Sequence, residues 1–123
     1  MDQLEATIDT WIEAYGEPDA VRRKQLIGRV WSADGRLVDP PVEGAGHSGI
    51  NDMADAVQAQ FPGHTFRRTS RIDEHHSFAR YEWTMLGPDG NAVLSGVDIA
   101  ELAGDGTLRR VVGFFGPLSS PPE

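Results

Sequence analysis

Leu4, Ile8, Trp11, Ile12 and Tyr15 recur at steps of three and four, which puts them on one face of a helix. Gly16 closes that run. The chain restarts at Pro18 and Asp19, and "EPDAVRRKQLIGRVW" predicts a second helix with Leu26, Ile27, Val30 and Trp31 on its buried side. "SADG" reads as a turn and "RLVD" as a short strand. "SGINDMADAVQAQF" predicts a third helix, apolar at Ile50, Met53, Ala54, Val57 and Phe61, and "PGH" stops it. Beyond that point the period changes to two. "TFRRTSRI", "FARYEWTML", "AVLSGVDIAEL" and "LRRVVGFFG" predict four strands, with "GPDGN" and "AGDG" as hairpin signals. Helices first and a strand meander afterwards predict an α+β domain, with helices packed on one face of a curved antiparallel sheet. Residues 1–116 form one expected domain, and "GPLSSPPE" supplies a loose tail over 117–123.

Composition narrows the function classes. The chain has 123 residues, enough for one core, and a net charge of -8. An acidic chain lacks the basic patch that nucleic acid or an anionic membrane needs, so neither is an expected partner. There is no cysteine, which excludes thiol catalysis, disulfides and thiolate metal sites. No apolar run is long enough to span a bilayer, and the acidic, mixed opening "MDQLEATIDTWIEAYG" is unlike a secretory signal. The expected location is cytoplasmic.

Alternation along the strands separates their faces. On "FARYEWTML", Ala79, Tyr81, Trp83 and Met85 share the apolar face, and Arg80, Glu82 and Thr84 point the other way. On "VLSGVDIAEL" both faces are partly apolar, so periodicity alone leaves the side of Asp98 open. Asp39 ends its strand in front of two prolines; Asp-Pro starts turns, and it can equally hold a base at a pocket mouth. His75 and His76 adjoin Asp73 and Glu74, but neighbouring strand residues face opposite ways and no third ligand has a motif spacing. A hairpin turn is the expected reading there, and no metal is expected. "RRTSR" is a basic strand suited to pairing with acidic neighbours or a subunit contact.

The stretches "VWSADGRLVDP", "GHSGINDM" and "VDIAELAGDGTLRRVVGFF", in an order of helix, helix, short strand, helix and long meander, resemble the nuclear transport factor 2-like superfamily. Within it the chain resembles the SnoaL-like and ketosteroid isomerase-like branches. The resemblance covers nearly the whole chain. It implies a cone-shaped sheet whose helices close an apolar pocket, and a homodimer paired through the outer sheet face. It turns Asp98 inward on its strand, and Val111, Gly113 and Phe115 inward on the last. A carboxylate among Leu94, Ala100 and Phe115 must find a partner or take up a proton. In ketosteroid isomerases the base is an aspartate in an Asp-Pro step, and Asp39 matches it. A second, protonated aspartate donates to the developing oxyanion, and Asp98 matches that one. The family tyrosine on the first helix is replaced by Trp11, with Tyr15 one turn further along the same face.

The resemblance therefore implies cofactor-free proton transfer, of isomerase or lyase type, on a small apolar carbonyl compound. Asp39 would be base and Asp98 acid donor, with Trp11 or Tyr15 assisting. Met53, Phe61, Tyr81, Trp83, Met85, Val111 and Phe115 would contact the substrate. An alternative of a different class is a non-catalytic module binding a small apolar ligand, with Asp98 a structural acid. A third reading, epoxide hydrolase-like, rests on Arg80-Tyr81-Glu82. It is opposed by alternation, which points Arg80 and Glu82 away from the apolar face, and by Gly113, which stands where an acid is needed.

Overall fold

The computed structural model describes residues 2–122. Three helices and seven strands follow one another as α1 (Gln3–Tyr15), α2 (Ala20–Val30), β1 (Trp31–Asp39), β2 (Val42–Ala45), α3 (Gly46–Gln60), β3 (Thr65–Arg68), β4 (Asp73–His75), β5 (Phe78–Leu86), β6 (Ala92–Leu102) and β7 (Leu108–Phe115). Local chemistry sets the helix starts. Asp2 accepts from the Glu5 amide at 2.8 Å and caps α1. Asp19 accepts from the Val21 and Arg22 amides and caps α2. Each such cap stabilises its helix by about 1 kcal/mol.

The strands form a single curved, open sheet in the order β2-β1-β7-β6-β5-β3, with β4 sharing the β5 edge that β3 occupies. The α+β cone is as expected. One pairing differs in direction: β1 runs parallel to β7, while all other neighbours are antiparallel, so the sheet is mixed. The meander β5-β6-β7 ends beside a strand laid down before it began, and that strand happens to point the same way as β7.

Three predicted boundaries move. Trp31, expected on the second helix, opens β1 instead, its backbone already extended. "SADG" lies inside β1, where the register against β7 shifts between Trp31 and Arg36. A β-bulge carries turn-like residues without ending the strand. "TFRRTSRI" breaks after Arg68, because that guanidinium leaves the sheet for Asp9 on α1, with bonds of 2.7 and 3.1 Å. The chain rejoins β5 as β4, and His76, at φ 54°, turns it back.

The helices cover the concave face. Ile8, Trp11 and Ile12 of α1, Leu26 and Ile27 of α2 and Ile50 of α3 meet Trp31, Leu37, Tyr81, Met85 and Val111 from the sheet in one core. Each large side chain so buried contributes roughly 1.5–3 kcal/mol before its ordering entropy is counted. Arg23, only 1 % exposed, fixes the helix layer: it donates to the Glu17 carbonyl, Asn51 Oδ1 and Asp55 Oδ1 at 2.8, 2.8 and 3.0 Å. The convex face carries Val97, Ile99 and Phe114 exposed. Residues 118–122 have no helix or strand, and among the described residues no helix is long and apolar enough to cross a membrane.

Candidate active site

A cavity of about 290 Å³ lies between the concave sheet and helices α1 and α3. Its walls are mostly apolar, and two carboxylates enter it from different strands.

Asp39 ends β1. It faces Val42 across a hairpin whose two loop residues are Pro40 and Pro41. Prolines offer no N–H, so this loop has no donor with which to claim the Asp39 side chain. The carboxylate turns into the cavity instead, where Oδ2 accepts from the Tyr15 hydroxyl at 3.1 Å. Oδ1 has no hydrogen-bond partner among the described residues. Asp39 is thus a turn residue by its backbone and a cavity residue by its side chain.

Asp98 sits mid-strand on β6, between Tyr81 on β5 and Gly113 on β7. It is 8 % exposed. Oδ2 accepts from the Tyr81 hydroxyl and Oδ1 from the Trp83 indole N–H, each at 2.9 Å. Those partners sit on the adjacent strand, one opposite and one diagonal, and inspection of the Asp98 strand and the last strand alone misses them.

Two glycines make the room. A Cβ on Gly96 would stand 2.3 Å from the Trp83 ring, so only glycine lets that indole lie flat enough to reach Asp98. A Cβ on Gly113 would stand 2.1 Å from Asp39 Oδ1 and 3.0 Å from Asp98 Oδ1. The two oxygens are therefore separated by at most the sum of those distances, about 5 Å, near enough for each charge to act on the other. The missing side chain at 113 is what allows two acids to converge.

Their environments differ. Burial pushes the Asp98 carboxyl up to about 7, the Asp39 charge pushes the same way, and the Tyr81 and Trp83 hydrogen bonds oppose both. Burial also raises Asp39, against the Tyr15 hydrogen bond that favours its charged form. Burial and the neighbouring aspartates hold the Tyr15 and Tyr81 phenols above their ordinary value, so both remain donors.

Of the residues expected at the site, Asp39, Asp98, Trp11, Tyr15, Phe61, Trp83, Met85 and Phe115 line the cavity. Met53, Tyr81 and Val111 do not. The Met53 sulfur packs against Gly44 of β2, Tyr81 stands behind Asp98, and Val111 is sealed in the core opposite Ala100. Helical spacing for Met53, alternation for Tyr81 and the family likeness for Val111 each pointed to the buried side, but a tapering cone opens only part of that side to its cavity. Leu37, Val57 and Phe66 line the cavity and were not anticipated. Each had a signal: Leu37 shares the face of Asp39, Val57 precedes Phe61 by one helical turn, and Phe66 pairs with Met85.

Other expected features fall outside the cavity. Arg80 and Glu82 are exposed, with Arg80 bonded to Asp73 at 2.9 Å and Glu82 accepting from Thr69 at 2.7 Å. Their position removes the geometry that an epoxide hydrolase-like reading needs. The His75 and His76 rings meet each other at the β4–β5 turn, Nδ1 to Nδ1 3.0 Å.

No protein-family profile and no curated protein sequence matches the chain. Solved structures do. A SnoaL-like family protein from Agrobacterium tumefaciens, to which an isomerase activity has been ascribed, is 36% identical, over 95% of this chain and 100% of its own, with a TM-score of 0.88. A nuclear transport factor 2-like protein from Exiguobacterium is 18% identical over 91% of this chain and 99% of its own, at a TM-score of 0.72. A SnoaL-like protein from Jannaschia, ascribed as a polyketide cyclase, is 12% identical over 94% and 89%, at 0.69. The last two are similar in fold alone. The first is alike in both fold and sequence along nearly the whole chain, and on that likeness the chain belongs to the SnoaL-like family.

Proposed function

We propose that this protein catalyses cofactor-free proton transfer, of isomerase or lyase type, on a small apolar carbonyl compound. The observation that carries the reading is the convergence of two unlike carboxylates across Gly113 in one apolar cavity. Asp39 Oδ1, free of partners, takes the proton from the carbon next to the carbonyl. The C–H electrons form the new C=C bond and the carbonyl π electrons move to oxygen. Asp98 answers that charge. Its Oδ1 spends one lone pair on Trp83, and a proton on the other points across the Gly113 gap. Return of the proton from Asp39 to a different carbon completes an isomerisation; loss of a leaving group from the enolate completes an elimination. Tyr15 holds Asp39 in place, and Trp11, packed between Tyr15 and Trp31, walls the cavity beside it.

One observation favours the second reading, a non-catalytic binding module: both Asp98 oxygens already accept hydrogen bonds, as in a structural buried acid. Hydrogen–deuterium exchange separates the two. A panel of small cyclic ketones in D2O, followed by NMR, should show protein-catalysed exchange at the α carbon. Asp39→Asn should slow it by roughly 10²–10⁴-fold, the usual share of a positioned base. Exchange no faster than in buffer, with the ketones bound, would leave the binding module standing.

A further inference from the structure

The cavity contains an imbalance that proton transfer does not need. Two carboxylates face it, and no lysine, arginine or histidine stands among its lining residues. Neither Asp39 nor Asp98 has a salt-bridge partner among the described residues. Elsewhere the protein pairs its acids freely: Asp9 with Arg68, Asp73 with Arg80, Glu101 with Arg110. Among the described residues, only in the cavity are buried and half-buried acids left with neutral donors alone.

The aromatic rings around them form a continuous arc. Trp11 touches Tyr15 at 5.2 Å between centroids, Tyr15 touches Phe66 at 5.2 Å, Phe66 touches Trp83 at 5.8 Å, and Trp83 touches Phe115 at 5.7 Å. All five line the cavity. Successive rings are tilted or edge-on, so several π faces of different orientation bound the same space. Aromatic walls with unpaired carboxylates are the surroundings that attract an organic cation, through the ring quadrupoles and the charges together. The same surroundings repel an anion and offer a neutral molecule only apolar contact and one or two hydrogen bonds.

We propose that this cavity binds small apolar amines as their ammonium ions, the charge lodged between the Asp39 and Asp98 carboxylates and against the rings behind them. An ammonium brings three donors. Asp39 Oδ1 is an acceptor without a partner among the described residues, and once Asp98 has released its proton each of its oxygens keeps a second lone pair. Trp11, Phe66 and Leu37 receive the hydrocarbon part. The net charge of -8 draws cations toward the protein from a distance. This binding shares the cavity of the proposed proton transfer but not its chemistry. An ammonium on Asp39 would occupy the base, so amines would inhibit ketone exchange.

Three ligands of one size and three charges test this: 2-phenylethylamine, 2-phenylethanol and phenylacetate, titrated calorimetrically at pH 8. The amine should bind at least ~10-fold tighter than the alcohol, and phenylacetate should give no binding heat. Asp39→Asn should narrow the amine-to-alcohol ratio to within ~2-fold. Because the wild-type comparison needs no variant, it stands even if Asp39→Asn does not fold. Equal affinity for amine and alcohol, an undiminished preference in Asp39→Asn, or phenylacetate binding as tightly as the amine would each overturn the proposal. Any of those results with ketone exchange intact sinks the amine site alone, and no binding by any of the three sinks it as well.

Discussion

Asp39 and Asp98 are the same side chain at two depths of one cavity. At the rim, Asp39 is half-buried, held by one phenol and followed by two prolines that give it nothing. At the floor, Asp98 is sealed between strands with a donor on each oxygen. Burial raises both, and Asp98, the more deeply buried, reaches about 7, with the Asp39 charge adding to the push. Two identical groups thereby hold different protonation states over one pH range, which is what separate base and acid roles demand. The contrast also says where stability resides: the floor is tied into the sheet and the rim is not.

Truncation at the two depths should break that contrast if it is false, and gives the largest expected effect. Asp98→Ala strands the Tyr81 O–H and the Trp83 N–H in the core, and two buried unsatisfied donors cost about 2–5 kcal/mol. Asp39→Ala removes one bond from a half-buried phenol and should change stability by less than about 1 kcal/mol. Urea denaturation at pH 6 measures both. Equal losses would mean that the two environments are alike.

Gly113→Ala comes next. Its new Cβ would overlap Asp39 Oδ1, the mobile end of a side chain at the rim, more severely than it crowds Asp98. Asp39 should be displaced from the cavity at a cost of about 1 kcal/mol, the low end of overpacking. Ketone exchange should fall as far as in Asp39→Asn, and the Asp98 titration should move down as the neighbouring charge withdraws. An Asp98 titration unmoved by the substitution would place the two carboxylates too far apart to interact.

The contrast between floor and rim was only half legible in the sequence. Helices showed clearly, because spacings such as Ile8, Trp11 and Ile12 match one period and Pro18 and Asp19 mark the start of the second. The rim showed as well: an aspartate before two prolines is a local feature. The floor did not. Which way Asp98 points depends on neither of its faces being plainly polar, and a family likeness, not alternation, turned it inward. Its donors, Tyr81 and Trp83, meet it only through the β5–β6 register, which no local pattern states. β2 was missed for the opposite reason, since Pro40 and Pro41 look like an end to pairing when they are the hairpin loop itself. Sequence periodicity reports what each segment buries; it does not report which strand stands opposite.

The pH dependence of stability sharpens the comparison further. Asp98 has a folded value of about 7, above its ordinary 3.8. The folded protein therefore binds a proton that the unfolded chain has released. Its contribution is complete below about pH 4 and is lost as pH rises to about 7, falling by roughly 1.4 kcal/mol per unit in the steep part. Asp98→Asn keeps side-chain polarity and removes this limb, so stability should become flatter between pH 4 and 7 than in wild type. Denaturation midpoints across that range measure it. Parallel profiles for the two proteins would mean that Asp98 is not the group titrating.

The smallest effect is expected from Tyr15→Phe, and it tests whether the two depths are set independently. The Tyr15 hydroxyl favours the charged form of Asp39, against burial. Without it the Asp39 carboxyl should titrate higher, and stability should change by less than about 1 kcal/mol because the bond is half-exposed and the ring stays packed between Trp11 and Phe66. Asp98 should hardly move, since its donors are Tyr81 and Trp83 and its largest push is its own burial. Carboxyl NMR titration of both residues, wild type against Tyr15→Phe, reads the two shifts side by side. If Asp98 moves as far as Asp39, the pair titrates as one unit, and the division into a rim base and a floor acid has to be given up.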